Sequence, residues 1–575
     1  MNRDYYQREL SALRELAKEF AAAHPALASR LSGPSPDPDV ERILEGVAFL
    51  TGRVREKLDD DFPELAQTLT QLIYPHYLRP LPATTIMEFK PKDTLRRNVV
   101  VPAGSHVDSV EVQDTHCRFR TCFEVRVAPL SLAQAQLLDR PGGRRSIDLT
   151  LQLNGLVLSQ WDADRMPFFI GGDFAGAADL YMLLLRGLER IVISSGAGEY
   201  ELPATALQPL GLDDEQAMLP RPATTLPAFG LLQEYFLLKE KFLFVELTRL
   251  QEWRQRGSGN QFHIRFDFAP LDTRFPTVDR ERFVLHCTPA VNLFRHDADP
   301  ILLNHRRAEV RVRPAGERGG NIQVYSVDEV VGHTRGSALR QEYHPINLYG
   351  GGNAQEPYYD MRFVTGAEGS RAEAFLSVTY PPGVELPAQQ TLIVGLTCSN
   401  GRLPAQLRPG DISRSTTGTS DLISFRNLLP PADGAEPPLG EMVLWRLLSH
   451  LALNFMPIAN PETLQALLRL YVVQGSARSP REVANLRRIA AISKVEVRTG
   501  DRLFGGSMIR GQEIRTSMRQ DYFASAGDMF LFGSLLDRVL ATFSTLNSFS
   551  LFTLVDEQTG STYAWPARLG KRALI

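Results

Sequence analysis

A chain of 575 residues is too long for one hydrophobic core, because cores stop growing near ~250–300 residues; about four domains are expected. Apolar residues at 43% and charged residues at 22% describe a globular protein without long disordered tails. Basic and acidic side chains nearly cancel, 63 against 66, which argues against a protein that neutralises many phosphates, so no nucleic-acid partner is expected.

The first residues, Met1 to Gln7, carry no basic stretch leading into an apolar one, so no secretory signal is expected. No window reaches the ~18–20 apolar residues needed to cross a bilayer; the greasy stretch 180–188 is interrupted by Arg186. Four cysteines, Cys117, Cys122, Cys287 and Cys398, make no disulfide framework in a chain this long. Free thiols in a reducing cytoplasm are the expectation.

In chain order, residues 1–83 read as a helical region. Tyr6, Leu10, Leu13, Ala17 and Phe20 form one stripe of a 3.6-period helix. A polar loop, 32–38, leads to Asp37-Pro38, an N-cap with proline at the first helical position. Val40, Ile43, Leu44, Val47, Leu50, Val54 and Leu58 then make about five turns of stripe. A third, shorter helix is expected to start near Pro63, carrying Leu65, Leu69, Leu72 and Ile73. With no sheet to cover, three amphipathic helices must bury their stripes on one another or on a partner.

From residue 84 to about 425, short alternating runs separated by Gly, Pro and Asn indicate antiparallel β domains: 107–112, 147–153, 262–268, 308–312 and 375–379. Two β-rich domains are expected, 84–290 and 291–427, with 211–227 as a long connecting loop. Arginines in 305–313 alternate with Ala308, Val310 and Val312, the solvated face of a strand. The Pro-rich stretch 428–439 reads as a linker. The remainder, 428–575, is α+β. Its signals are a stripe on Val443, Leu444, Leu447, Leu448, Leu451 and Phe455, a cap at Asn460-Pro461, a capping box at Ser479–Glu482, a strand over 494–498, a helix over 527–545, and a hairpin joining 549–555 to 561–565.

Motifs for chemistry are missing. There is no phosphate-cradling loop ending in Lys-Ser or Lys-Thr; Gly350-Gly351-Gly352 and Gly196-Ala197-Gly198 read as turns. Cys117 and Cys122 have no second pair at zinc distance, and His286, His296 and His305 form no helical ligand pair. Gly505-Gly506-Ser507 lacks the last glycine of a nucleophile elbow and reads as a β turn. Asp59, Asp60 and Asp61 read as solvated residues beside a helix cap. No catalytic residue, cofactor or metal is expected. The alternatives are a cytoplasmic hydrolase of unrecognised type and a β-rich ligand-binding protein or adhesin.

Several segments resemble, in order, the TssF (ImpG, VasA) family of the type VI secretion baseplate. They are Tyr5-Tyr6-Gln7-Arg8-Glu9-Leu10, the run 39–50, Asp59-Asp60-Asp61-Phe62-Pro63-Glu64-Leu65, Tyr74-Pro75-His76-Tyr77-Leu78-Arg79-Pro80, and Val291-Asn292-Leu293-Phe294. Cys398-Ser399-Asn400-Gly401-Arg402-Leu403-Pro404, the run 445–454, Leu546-Asn547-Ser548-Phe549 and Trp565-Pro566-Ala567-Arg568 follow. The chain departs from the pattern over 425–439, where a threonine-rich stretch is missing and only Pro437-Pro438-Leu439-Gly440 remains. The resemblance implies a cytoplasmic wedge subunit that pairs with a second copy and with TssG, TssK and TssE-like subunits. It would surround the spike, nucleate the sheath, and reach the membrane complex only through other subunits. Tyr5, Tyr6, Tyr74, Arg79, Trp445 and Arg446 are the candidate interface residues, being of the types that dominate energetic hot spots. The competing reading is that such aromatics fill their own domain cores.

Overall fold

The computed structural model describes residues 3–23, 38–221, 226–270, 275–316, 320–334, 340–346, 356–366, 371–383, 386–387, 389–416, 418–439, 460–473 and 479–570, with the side chains of 3–5, 8, 20–23 and 54–66 outside that description. The chain divides into two compact units. One is Met1–Ile73 with Pro438–Ser449; the other is Tyr74–Pro437 with His450–Ile575.

The first unit is helical, as its periodicity requires. Helix α1 spans Arg3–Ala23; Ala17 is buried and Tyr6, Leu10 and Leu13 are half-buried, so the expected stripe is turned inward. Helix α2 spans Pro38–Ile73 and starts on the proline as expected. Two helices were expected over this stretch, with a break at Pro63, but the helix runs through it. A proline inside a helix forgoes one backbone hydrogen bond and strains the preceding turn, and thirty-six continuous residues outweigh that local cost. The rod is about 54 Å long.

In the second unit, a six-stranded antiparallel sheet runs in the order Ile412–Arg414, His106–Val112, Thr115–Thr121, Cys287–Val291, Thr84–Pro91, Ile423–Asn427. Its strands come from both sides of the expected 290/291 boundary. Met87, Phe89, Cys117, Phe119, Ile412 and Phe425 form its core. A five-stranded sheet holds Leu130–Arg140, Arg144–Leu153, Leu188–Ser195, Gly198–Pro203 and Gln261–Phe268, and Gly196-Ala197 make the turn between two of them. A four-stranded sheet of Met166–Ile170, Leu207–Leu210, Phe244–Leu247 and Phe283–Leu285 accompanies helices α3 (Phe174–Arg186) and α4 (Pro227–Leu237). The long strands Gln323–Thr334 and Gln390–Ser399 are the spine of an eight-stranded sheet. At one edge of it Glu309–Arg311 pairs with Ala372–Thr379, and Arg306, Arg307, Arg311 and Arg313 face solvent.

Two connections are more structured than their composition implies. The stretch after Gly211 contains a 3-10 turn, Asp214–Gln216, with a capping box between Asp213 and Gln216, and Met218 and Leu219 are buried beyond it. The Pro-rich stretch expected to be a linker is instead a strap paired to backbone. Leu428 N–H donates to Ile86, Ala432 N–H to Thr84, and Leu81 and Ala435 exchange hydrogen bonds of 2.7 and 3.0 Å. Prolines remove donors from such a strand but leave the intervening residues free to pair.

The C-terminal part is α+β, with helices α5 (Pro461–Leu470), α6 (Pro480–Ala490) and α7 (Ala526–Ala541). Asn460 and Ser479 cap α5 and α6, each side chain accepting a backbone N–H. Strand Ile492–Phe504 is far longer than the expected 494–498; it pairs with Ser507–Met518 through a Gly505-Gly506 turn. Phe549–Asp556 pairs antiparallel with Thr562–Ala564, as expected, and also parallel with Ser507–Met518, with α7 as the crossover. The fold class is therefore multidomain α+β: helical at the N-terminus, antiparallel β in the middle, α+β at the end.

Candidate interaction surfaces

The segment 74–80 lies inside the molecule. Its 3-10 turn, Pro75–Leu78, is buried throughout. Tyr74 meets Phe229 edge-on at 5.9 Å, and His76 stacks parallel to both Phe229 and Tyr471 at 6.2 Å. Tyr77 donates its hydroxyl to the Leu470 carbonyl at 3.0 Å. Tyr74 therefore fills the chain's own core. Arg79 is half-buried with its guanidinium 5.3 Å from the Tyr325 ring centre, a cation–π contact. Tyr6 is half-buried on α1. The side chain of Tyr5, and all of Trp445 and Arg446, lie outside the described residues, as do Gly350–Gly352 and the side chains of Asp59–Asp61.

Other signature residues act as locks. Asn292 and Asn400 are buried and bond reciprocally: the Asn400 N–H donates to the Asn292 side-chain oxygen at 2.7 Å, and the Asn292 amide donates to Asn400 Oδ1 at 2.8 Å. Both also hold the backbone of Arg118. Trp565 stacks on Phe530 of α7 at 5.4 Å and donates Nε1–H to Ser534. Arg568 pairs at 2.6 Å with Asp537, whose side chain is buried. Spacing could not reveal these roles, because each partner lies in another element.

Buried charges are likewise closed off. Glu234 and Lys241 form a fully buried ion pair, and Arg221 and the Met218 and Leu219 N–H groups complete it. Burial disfavours the Glu234 charge, but Lys241 and Arg221 outweigh it and hold the carboxyl below its ordinary range. Arg488 grips Asp528 with contacts of 2.9–3.1 Å.

A cavity of about 520 Å³ is lined by Trp161, Met166, Glu246, His286, Cys122 and Cys287 among others. A thiol and an imidazole lining one cavity could form a nucleophilic pair, but burial disfavours the charged form of each. Burial pushes the Cys122 thiol up to about 12 and the His286 imidazole down to about 4. His286 Nε2 accepts the Ala128 N–H, while His296 and His305 each bond to a separate backbone carbonyl. Among the described residues no three metal-ligating side chains gather, no disulfide joins any of the four cysteines, and no helix is long and apolar enough to cross a membrane.

One exposed apolar surface lies on α2. Ile43 is 65% exposed, Leu50 64%, Leu72 46%, Leu69 41% and Val47 39%. At 100° per residue these five fall within about 100° of arc. The buried positions, Ala48, Gly52 and Thr70, lie on the other side. Of the stripe read from periodicity, Ile43, Val47 and Leu50 thus point outward and Val40 and Leu44 are half-buried, while the small residues Ala48 and Gly52 point in. Ala and Gly beside larger apolar neighbours are the signal that could have found this face, since small residues allow close helix approach.

A family model described as "Type VI secretion system, TssF" matches residues 2–572. The type VI secretion system component TssF1 of Pseudomonas aeruginosa is 30% identical, covering 99% of this chain and 98% of that protein. A chain in the cryo-electron microscopy structure of the type VI secretion TssK-TssF-TssG baseplate subcomplex superposes with a TM-score of 0.79 at 28% identity, over 92% of this chain and 98% of its own. One in the baseplate complex of the type VI secretion system gives 0.60 at 25% identity over both full lengths. With the whole length matched by family and by fold, the chain belongs to the TssF family of the type VI secretion system.

Proposed function

We propose that this protein is a structural subunit of the type VI secretion baseplate wedge, with no catalytic centre. It assembles in the cytoplasm with a second copy of itself and with TssG, TssK and TssE-like subunits around the spike, beneath the sheath. It reaches the membrane complex through other baseplate subunits. The observation that carries this reading is the outward apolar face of α2 on Ile43, Val47, Leu50, Leu69 and Leu72. A face of that length in water favours association, and obligate interfaces are built from such surfaces. Tyr5, Tyr6 and the segment of Trp445 and Arg446 are proposed to extend it; Tyr74 is committed to the interior. The work is mechanical, in that interfaces rearrange and transmit a trigger to the sheath.

The test is coexpression with TssG and TssK subunits of the same host. Ile43→Asp with Leu50→Asp should leave the melting temperature of the isolated chain unchanged, because both side chains are exposed. It should weaken copurification about thirtyfold, equivalent to about 2 kcal/mol. Undiminished copurification would remove α2 from the interface.

A further inference from the structure

The cavity of about 520 Å³ joins a buried apolar floor to an acidic rim. Leu130, Trp161, Met166 and Leu285 are the buried part. Glu124, Asp162, Asp164, Glu215 and Glu246 add five carboxylates, against the two guanidiniums of Arg126 and Arg165. Each of these arginines is already shared. Arg126 meets Glu124 at 3.1 Å and Asp164 at 3.4 Å, and Arg165 meets Asp164 at 3.4 Å and Glu246 at 3.7 Å. Arg256 lies against the Trp161 ring and donates to the Trp161 and Ala163 carbonyls; counting it as well leaves the carboxylates in excess. Such a lining attracts a cation.

Two residues of this lining have polar groups that the described chain does not satisfy. Glu246 lies on strand Phe244–Leu247, between Leu207–Leu210 and Met166–Ile170, and its side chain is only 14% exposed. Among the described residues its carboxylate accepts no hydrogen bond, and the 3.7 Å contact with Arg165 is its one ion pair. A carboxylate this sheltered normally gathers several donors; burial pushes the Glu246 carboxyl above its ordinary range. Trp161 is 4% exposed, and its Nε1–H is buried with no acceptor among the described residues. A buried indole N–H usually finds one. One cavity therefore holds an acceptor short of donors and a donor short of an acceptor.

We infer that this cavity receives an arginine-bearing segment of another subunit of the assembly, with the guanidinium on Glu246 and a carbonyl of the segment on the Trp161 N–H. Arginine offers the fork of donors that a carboxylate accepts two at a time, and its methylene stem can lie along the apolar floor. The volume falls within the roughly 300–1,000 Å³ of sites that enclose a ligand, which leaves room for flanking residues. An acidic segment would be repelled by the excess of carboxylates. The inference deepens the proposed role as an assembly subunit and rests on it only for the source of the segment.

The probe is the peptide N-acetyl-Leu-Arg-Leu-amide, titrated into the full-length chain and followed by calorimetry. Binding should saturate with a Kd below about 10 mM. The same peptide with citrulline, a neutral analogue of arginine, should bind about tenfold more weakly or worse. Glu246→Gln, which keeps the side-chain shape, should cause the same loss at an unchanged melting temperature. No saturation, equal binding of the citrulline peptide, or undiminished binding to Glu246→Gln overturns the arginine site and leaves the baseplate role standing. The citrulline comparison uses the unaltered chain, so it decides the matter even where the variant does not fold. In coexpression with the TssG, TssK and TssE-like subunits, Glu246→Gln should lower copurification about tenfold. Full copurification of that variant overturns a partner subunit as the source of the arginine. Failure of the unaltered chain to join any baseplate subunit overturns that source and the baseplate role together.

Discussion

Asn292 and Asn400 stand 108 residues apart in sequence, yet each satisfies the other's buried amide. Read singly they are ordinary loop residues, and the sequence displays them only as parts of two recurring motifs. His286 was legible as a histidine with no helical partner, but its setting was not. Its backbone takes φ of 56°, a region that Asn tolerates far better than most residues. Burial holds its pKa at about 4, whereas in the unfolded chain it lies near ~6.5. Below that ordinary value the unfolded chain binds a proton that the folded one refuses. Stability is therefore fully present above about pH 6.5 and is lost as the pH falls toward 4. His286 alone should cost about 2 kcal/mol between pH 7.5 and 5. His286→Asn should melt lower at neutral pH but show a shallower decline with acid; an unchanged slope would mean that other groups set it.

Among the elements, those governed by local rules were readable. The caps at Asn460 and Ser479, the Gly505-Gly506 turn and the 3.6-period stripe of α1 are all decided within a few residues, and all stand as expected. What could not be read depends on partners outside the local segment, as in the strap over 428–437 and the parallel pairing across α7, or on the continuity of a whole helix, as in the survival of α2 through Pro63. The approach of α7 to α3 belongs to this class. A Cβ on Gly527 would lie 2.2 Å from the backbone of Ala178, and neither atom belongs to a flexible side chain. The Gly527 N–H also donates to Asp179 at 2.8 Å. Gly527→Ala should force the helices apart and lower stability by about 1–3 kcal/mol, as overpacking does. A thermal melt equal to wild type would show that this close crossing does not exist in solution.

For the whole molecule, composition and periodicity conveyed the class of fold but not the order of any sheet. Strands Thr84–Pro91 and Ile423–Asn427 are neighbours although more than three hundred residues separate them, and alternation carries no record of which strand a given one meets. The candidate interface was half legible for the same reason. A stripe shows that a helix has an apolar side, and only packing shows whether that side is covered. The uncovered face of α2 has a consequence for the isolated chain, which should self-associate as its concentration rises. Sedimentation velocity should show the increase, and Ile43→Asp with Leu50→Asp should suppress it. A monodisperse monomer at high concentration would contradict the open face. The strap has another consequence. The chain leaves the β-rich unit toward the helical unit at Ile73 and again at Pro438, and these two exits are the same ends of the antiparallel ladder between Leu81 and Ala435. A pull applied to both exits along the strand axis would load the hydrogen bonds from Thr84–Pro91 to Cys287–Val291 in shear. Bonds in shear share a force and yield together, whereas bonds at a zipper's fork yield one by one. A load applied along that axis would thus be borne by a whole strand at once.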